Sequence, residues 1–337
     1  PSLVGSLPAM SLSSRWSQRI LTLNKVWALR RLGEAVIAVW LLTIASFFIV
    51  ALAPGDAVLS VLRIDDVAVS KTEIDATRER MGLNDPLIVR YWHYLEGLLR
   101  GDMGTSVMTG KPVSYEISKA LPASAILSGV SLLVTALVVV LLGWLAARYR
   151  NTWVDKIIMW FCYLGASIPA FWLGLLLINM FAVKVKLLPS SGWRNGAGLV
   201  LPVICLVVAI APPFVKMFRN RYVEINAEDY VRAARMRGVP ERNVVLRHVT
   251  RGSLIPVVTM LAVSLGSLLS GSVVIEVVFG LPGMGRLAVE AIARRDYAVI
   301  QGFVLIVGIA ILIIMAFVDG LCRIIDPSIK IKEQEHG

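Results

Sequence analysis

The chain has 337 residues, of which 57% are hydrophobic and only 17% charged, and its mean hydropathy is +0.73. Soluble domains carry about a quarter charged residues, so the composition excludes an ordinary soluble enzyme or binding module and indicates an integral membrane protein. The net charge of +11 does not indicate a nucleic-acid partner, because the basic residues are spread over short segments beside apolar runs, where positive charge sets orientation and meets membrane lipid.

Residues 1–34 are polar and basic, with Arg15, Arg19, Lys25, Arg30 and Arg31. They hold no short apolar core followed by a small-residue cleavage site, so they are not expected to form a cleaved signal peptide. The first apolar segment is expected at 35–53, close to the roughly 20 residues a helix needs to cross the hydrocarbon core. Segment 54–121 is too long for a plain connector. In "SKTE", Ser70 is placed to cap a helix with Glu73 reaching back, and Gly82 can end it. In "NDPLIVRYWHYLEGLLRGD", Asp85 and Pro86 read as cap and first helical residue, with Leu87, Tyr91, Leu95 and Leu98 on one face and Gly101 as the stop. The two short helices form an external platform that either packs on the bundle, the commoner use of an amphipathic face, or docks an external partner.

Further spans are expected near 122–147, 157–183, 199–215, 254–280 and 300–325, which gives an all-α membrane protein of about six transmembrane helices. Pro169, Pro212, Pro213, Gly266 and Gly271 lie inside these runs and point to a packed bundle that bends or lines a path. Segments 1–34, 148–156 and 216–253 are the basic ones, with Arg148, Arg150 and Lys156 in the second and nine basic residues from Lys216 to Arg251 in the third. That bias puts them, the tail 326–337 and both termini in the cytoplasm. The alternate segments, 54–121, 184–198 and 281–299, face outward. Cys162, Cys205 and Cys322 have no paired spacing and read as packing residues.

Enzyme chemistry finds no support. His93, His248 and His336 are widely separated, and neither a His-Glu-x-x-His pair nor a Gly-x-Ser-x-Gly elbow occurs. "GTSVMTGKP" fails as a phosphate loop, since Gly104 and Gly110 stand one residue too far apart and Pro112 occupies the Ser or Thr position. "GLPGMG", 280–285, follows no strand and reads as a tight turn. Glu276 and Asp319 are ionisable groups in apolar runs, where charge costs about 2.5–3.5 kcal/mol. Both are expected to be structural, Asp319 through a pair with Arg323 and Glu276 through the outer interface.

One stretch does not fit a plain connector. "DYVRAARMRGVPERN", 229–243, crowds Arg232, Arg235, Arg237 and Arg242 around the alanine pair Ala233 and Ala234. Asp229 or Glu228 can open a helix and Gly238, before Pro240, can end it. Small paired alanines allow close backbone approach, so the helix suits insertion into a groove on another protein; a solvated surface helix is the alternative.

"DYVRAARMRG" followed by "VLRHVTRGSLIPVV" resembles the loop motif of binding-protein-dependent ABC importer permeases, in the dipeptide, oligopeptide and nickel branch. "GLNDPLIVRYWHYL", "GDMGTS", "IPAFWLGLLL", "LPSSGW", "VVIEVVFGLPGMGRLAVEAIARRDYAVIQ" and "DPSIK" are similar to further blocks in the same order, so the resemblance covers about residues 30–328. Two departures from the general motif are habits of this branch: Arg232 stands where Glu usually precedes the alanines, and the stretch from Gly238 to Ile255-Pro256 is longer. The resemblance implies the type I ABC importer permease fold, with 122–325 as the permease core and 216–253 as its coupling loop.

It also implies a second homologous permease, two cytoplasmic ATP-binding subunits that hold ATP and magnesium, and an external solute-binding protein that delivers cargo. This chain then carries no cofactor and no catalysis. Tyr230, Arg232, Ala233, Ala234, Arg237 and Gly238 become the residues that couple to the ATPases, and Gly271, Glu276, Gly280 and Gly283 the pathway or gate candidates. The branch imports short peptides, nickel or other metal chelates and related solutes, and the short loop "KVKLLPSSGWRNGAG" leans to its nickel and metallophore members. A secondary transporter or channel would use intramembrane charges and internal repeats, and no convincing repeat is present. A membrane-embedded enzyme would need convergent catalytic groups in the spans, and none is found.

Overall fold

The computed structural model describes residues 12–52, 79, 84–192 and 196–325, with side chains left aside at 12–30, 262, 267, 269–271, 319 and 321–325. The expected helix at 70–82, with Ser70 and Glu73, lies outside these residues, as does the Asp319 and Arg323 pairing. Within them the fold is helical. Five helical segments are long and apolar enough to span a membrane: Arg31–Ala51, Val113–Arg148, Gly196–Asn226, Glu241–Gly266 and Tyr297–Val318. A bent pair, Trp153–Ser167 and Ala170–Lys184, makes the sixth.

Helix α1 (Leu12–Ala51) runs from the basic N-terminal segment straight into the first span. Helix α2 (Leu87–Leu99) lies against it: the Tyr91 and Tyr94 hydroxyls meet those of Thr43 and Ser46 at 2.9 and 3.3 Å, and the Phe47 ring meets Tyr91 edge-on and Tyr94 at a tilt. The Tyr91 and Tyr94 side of α2 is thus packed on α1. Pro86 stands at the cap position rather than inside the helix, and the turn closes at Gly101 with φ +79°. Helix α3 (Val113–Arg148) begins nine residues earlier than the expected 122, so the segment between the first two spans ends at 112.

The expected span 157–183 is broken. Helix α4 (Trp153–Ser167) and helix α5 (Ala170–Leu177), which continues as a π-helical turn Ile178–Lys184, meet at 101°. Pro169 explains the break: it holds Ile168 in the extended conformation that residues preceding proline favour. Pro212 and Pro213 do not act the same way, and α6 (Val200–Asn226) runs through both. There α4 packs closely on α6, since a Cβ built on Gly165 of α4 would lie 3.3 Å from the Val208 carbonyl and 3.9 Å from Pro212 Cγ. Pairing of α3 with α6 forms the centre of the bundle. It is tightest at Gly143, where any Cβ would come within 2.7 Å of the buried Phe218 ring.

Beyond α6 come helix α7 (Asp229–Met236), one turn at Glu241–Asn243, a π-helical turn Val244–Thr250 and helix α8 (Arg251–Gly271). The expected span 254–280 stops at Gly271. Helix α9 (Val273–Val278), helix α10 (Met284–Ala293) and helix α11 (Tyr297–Ile325) complete the described residues. A second small core of Val113, Ile117, Met284, Ala291 and Val299 joins the start of α3 to α10 and α11.

Candidate functional site

Helix α7 is bounded by the residues the sequence singles out. Glu228 takes the extended cap conformation and Asp229 sits in the first turn, where its charge favours the helix dipole. At the other end Gly238, at φ +74°, donates to the Arg235 carbonyl at 2.9 Å, and Val239 donates to the Ala234 carbonyl at 3.2 Å. These two bonds are a Schellman turn, which needs a left-handed residue and is followed here by Pro240.

The helix has two distinct faces. Val231 and Ala234 are buried in the main core, so Ala234 makes its close approach to this chain's own bundle. Ala233 is half-buried, while Tyr230, Arg232, Met236 and Arg237 are exposed, Met236 at 83%. The expectation that the alanine pair as a whole meets another protein is therefore corrected for Ala234. Arg232 reaches Asp229 only at 3.7 Å with both groups in solvent, an arrangement of little energetic weight. Arg235, absent from the expected site residues, holds the helix in place: Nε and Nη2 donate to the two Glu241 carboxylate oxygens at 3.0 and 2.9 Å, and Nη2 also donates to Asn226 Oδ1 at 2.6 Å. A basic residue six before an acid across a glycine turn was the available signal.

At the opposite end of the bundle, Glu276 is 1% exposed and fully engaged. It accepts from Ser124 Oγ at 2.6 Å, Ser272 Oγ at 2.9 Å and the Gly285 and Arg286 amides at 2.7 and 3.2 Å. Both amides belong to the unpaired first turn of α10, where a carboxylate is favoured. Ser124 accepts in turn from the Met284 amide at 2.8 Å. Glu276 therefore staples α3, α9 and α10 together, and it does so from the protein interior rather than from the outer interface. Gly283 lies directly against the carboxylate, so that any side chain there would collide with it. Gly280, at φ +59°, turns the chain, and its carbonyl accepts from Arg286 Nη1 at 3.0 Å. Gly271 stands at the α8 end, where α8 gives way to α9.

Two further polar knots were missed. Asp296, wholly buried, caps α11 through the Val299 amide at 3.4 Å and accepts from Ser106 Oγ at 2.6 Å and the Met108 amide at 3.2 Å, which fixes the loop 102–112. Aspartate just before an apolar run was a readable capping signal. Asp155 of α4 takes both Nε and Nη2 of Arg219 on α6, at 2.6 and 2.5 Å, beside the α7 end of the bundle. Among the described residues no group of three or more His, Cys, Asp or Glu side chains is arranged to hold a metal ion.

A family profile described as "Binding-protein-dependent transport system inner membrane component" matches residues 139–331, and its N-terminal companion, "Binding-prot-dependent transport system membrane comp, N-term", matches residues 25–127. The chain is 38% identical over 306 residues to the glutathione transport system permease protein GsiC of Salmonella choleraesuis, covering 91% of this chain and 99% of that protein. It is 38% identical over 305 residues to the GsiC protein of Pectobacterium atrosepticum, at 90% and 98% coverage. The fold is similar to a chain of the MetNI methionine ABC transporter in an inward-facing crystal form, with TM-score 0.54, 18% identity, and 63% of this chain and 97% of that one covered.

Proposed function

The chain belongs to the binding-protein-dependent transport system inner membrane components, and on that premise we propose that helix α7 is the element through which ATP-hydrolysing partner subunits drive it. It is a multi-pass inner-membrane permease subunit of an ABC importer with the type I permease fold, a transport subunit rather than an enzyme. ABC importer permeases work with ATPase and solute-binding partners. In the reading advanced here, ATP and magnesium sit on two such ATPases, a second homologous permease completes the pathway, and both termini and α7 face the cytoplasm.

The observation that carries this reading is the division of α7 into two faces. Val231 and Ala234 are sunk in the bundle, while Tyr230, Met236 and Arg237 stand toward solvent at the basic end and Ala233 lies half-buried between the two faces. Such a helix transmits force in both directions, because it is held by its own spans and still offers an apolar and cationic surface to a partner. Arg232 and Gly238 then serve as rim contact and end-stop. ATP-dependent closure of the ATPases biases the bundle between two packings, which is alternation by differential contact.

At the other end, we place the gate at the corner where α8 ends at Gly271 and the chain turns at Gly280. Glu276 and Gly283 there make α3, α9 and α10 move as one body. The cargo we propose is a short peptide of the glutathione kind, supported by the names of relatives 38% identical along almost their whole length. The lean to nickel or another metal chelate, drawn from the loop at 184–198, has no structural observation to set against that. The test is reconstitution with cognate ATPases and binding protein in proteoliposomes. ATP-dependent accumulation of radiolabelled glutathione-type peptide is expected, and accumulation independent of ATP would favour a secondary transporter instead.

A further inference from the structure

At the α7 end of the bundle a cavity of about 450 Å³ is lined by Trp144 of α3 and by Glu241, Arg242, Val245 and Leu246 at the start of the next span. Its wall is amphipathic. Val245, Leu246 and the Trp144 indole form the apolar part, and Leu246 and Trp144 remain half open to the surroundings. Arg242 forms the basic part. Arg148, one turn beyond Trp144 on the same face of α3, lies within electrostatic range of Glu241 and of Tyr222.

Charge at this site is unbalanced. Glu241 is the only acid in the lining, and Arg235 already engages both of its oxygens. Among the described residues neither Arg148 nor Arg242 makes a direct ion pair, and the acid in range of Arg148, Glu241, is already engaged by Arg235. Two guanidinium groups outside any direct ion pair, Arg242 in the wall and Arg148 near it, therefore stand by an apolar slot at the end shared by two apolar spans, 113–148 and 241–266. A soluble anion would find no use for the Trp144, Val245 and Leu246 wall. An anionic phospholipid uses both parts: guanidinium groups match phosphate geometry, and tryptophan is favoured at the headgroup level.

We propose that this cavity binds one anionic phospholipid, with its phosphate between Arg148 and Arg242 and its acyl chains along Val245 and Leu246. The occupant would act on transport through Glu241, whose Arg235 partner fixes α7 to the end of α6. The inference rests on the membrane placement of these spans and not on the cargo.

The test uses the intact transporter with its partner subunits, purified in mild detergent and exposed to phosphatidylglycerol and phosphatidylcholine in equal amounts. Native mass spectrometry of the wild type should retain phosphatidylglycerol in preference to phosphatidylcholine. The double variant Arg148→Gln/Arg242→Gln should lose that retention about ten-fold or more, as expected for two juxtamembrane cations, while Arg148→Lys/Arg242→Lys should keep most of it. In proteoliposomes, stimulation of uptake by phosphatidylglycerol should flatten in the Gln variant only. Equal retention of the two lipids by the wild type, or undiminished retention in the Gln variant, overturns the proposal. So does a Gln variant that keeps its lipid but sheds the ATPases, which would assign the arginines to a subunit contact. Lipid retention is read independently of ATPase binding, so the coupling role of α7 and this site stand or fall separately.

Discussion

Arg235 and Glu241 close a two-pronged ion pair across the Gly238 turn, Nε to Oε2 at 3.0 Å and Nη2 to Oε1 at 2.9 Å. Glu241 is 62% exposed, and a pair so wet stabilises by only about 0–1 kcal/mol. Its importance is positional, since it joins α7 to the start of the following span while Asn226 joins it to the preceding one. Arg235→Ala is expected to leave membrane assembly intact and to lower solute moved per ATP hydrolysed by about two- to thirty-fold, the range of 0.5–2 kcal/mol seen for coupling residues. Glu241→Gln should do the same, and the double variant should be no worse than either. Unchanged transport stoichiometry in proteoliposomes for both single variants would remove the clamp from the account.

Gly238 provides a backbone test of the same element. At φ +74° an alanine costs about 1–2 kcal/mol, whereas asparagine visits this region readily. Gly238→Ala should speed hydrogen exchange at the amides of 238 and 239, which close the turn, and Gly238→Asn should restore most of the protection. Equal exchange in all three proteins would mean that the turn does not hold the helix end.

Around Glu276 the expected effects are on stability. Glu276→Ala leaves two hydroxyls and two amides unpaired in a buried place, which should cost about 3 kcal/mol or more given 1–3 kcal/mol for each orphaned group. Gly283→Ala should also destabilise, because its Cβ collides with the carboxylate, while Ser124→Ala should do less harm than either. Thermal unfolding of the detergent-solubilised protein reads this order. A midpoint for Glu276→Ala within error of wild type would dissolve the staple.

Much of this was legible in the chain. The spans announced themselves by length and hydropathy, and α7 by Glu228, Asp229 and the Gly238-Val239-Pro240 stop, because those signals are local. What local signals cannot supply is the facing of a residue. Ala233 and Ala234 are equal in sequence, and only packing of α7 on its own bundle turns Ala234 inward. Glu276 read as an interfacial acid because its partner Ser124 lies 152 residues away. Proline shows the same limit from the other side: Pro169 breaks a span and Pro212-Pro213 does not, although each lies within an apolar run.

The gate corner calls for a labelling experiment. Val277 is 45% exposed beside the Gly280 turn, whereas Val273 packs against Gly285 and Gly280 has a backbone suited to glycine, so Val277 is the position of choice. With Cys162, Cys205 and Cys322 replaced, Val277→Cys should react faster with an external polar thiol reagent when the ATPases are trapped with ATP. Equal rates in the resting and trapped states would reject the gate at this corner and leave the coupling role of α7 untouched.

Contact between α7 and an ATPase is the central claim, and site-directed crosslinking in the assembled, transport-active complex tests it most directly. On the same cysteine-free background, Met236→Cys and Ala233→Cys should form adducts with an ATPase subunit through a short thiol-reactive photocrosslinker, while Val231→Cys and Ala234→Cys, which face the bundle, should not. ATPase adducts from the outward positions alone are the predicted result. Their absence at Met236 in a complex that still transports, or equal yield from Ala234, would contradict the account.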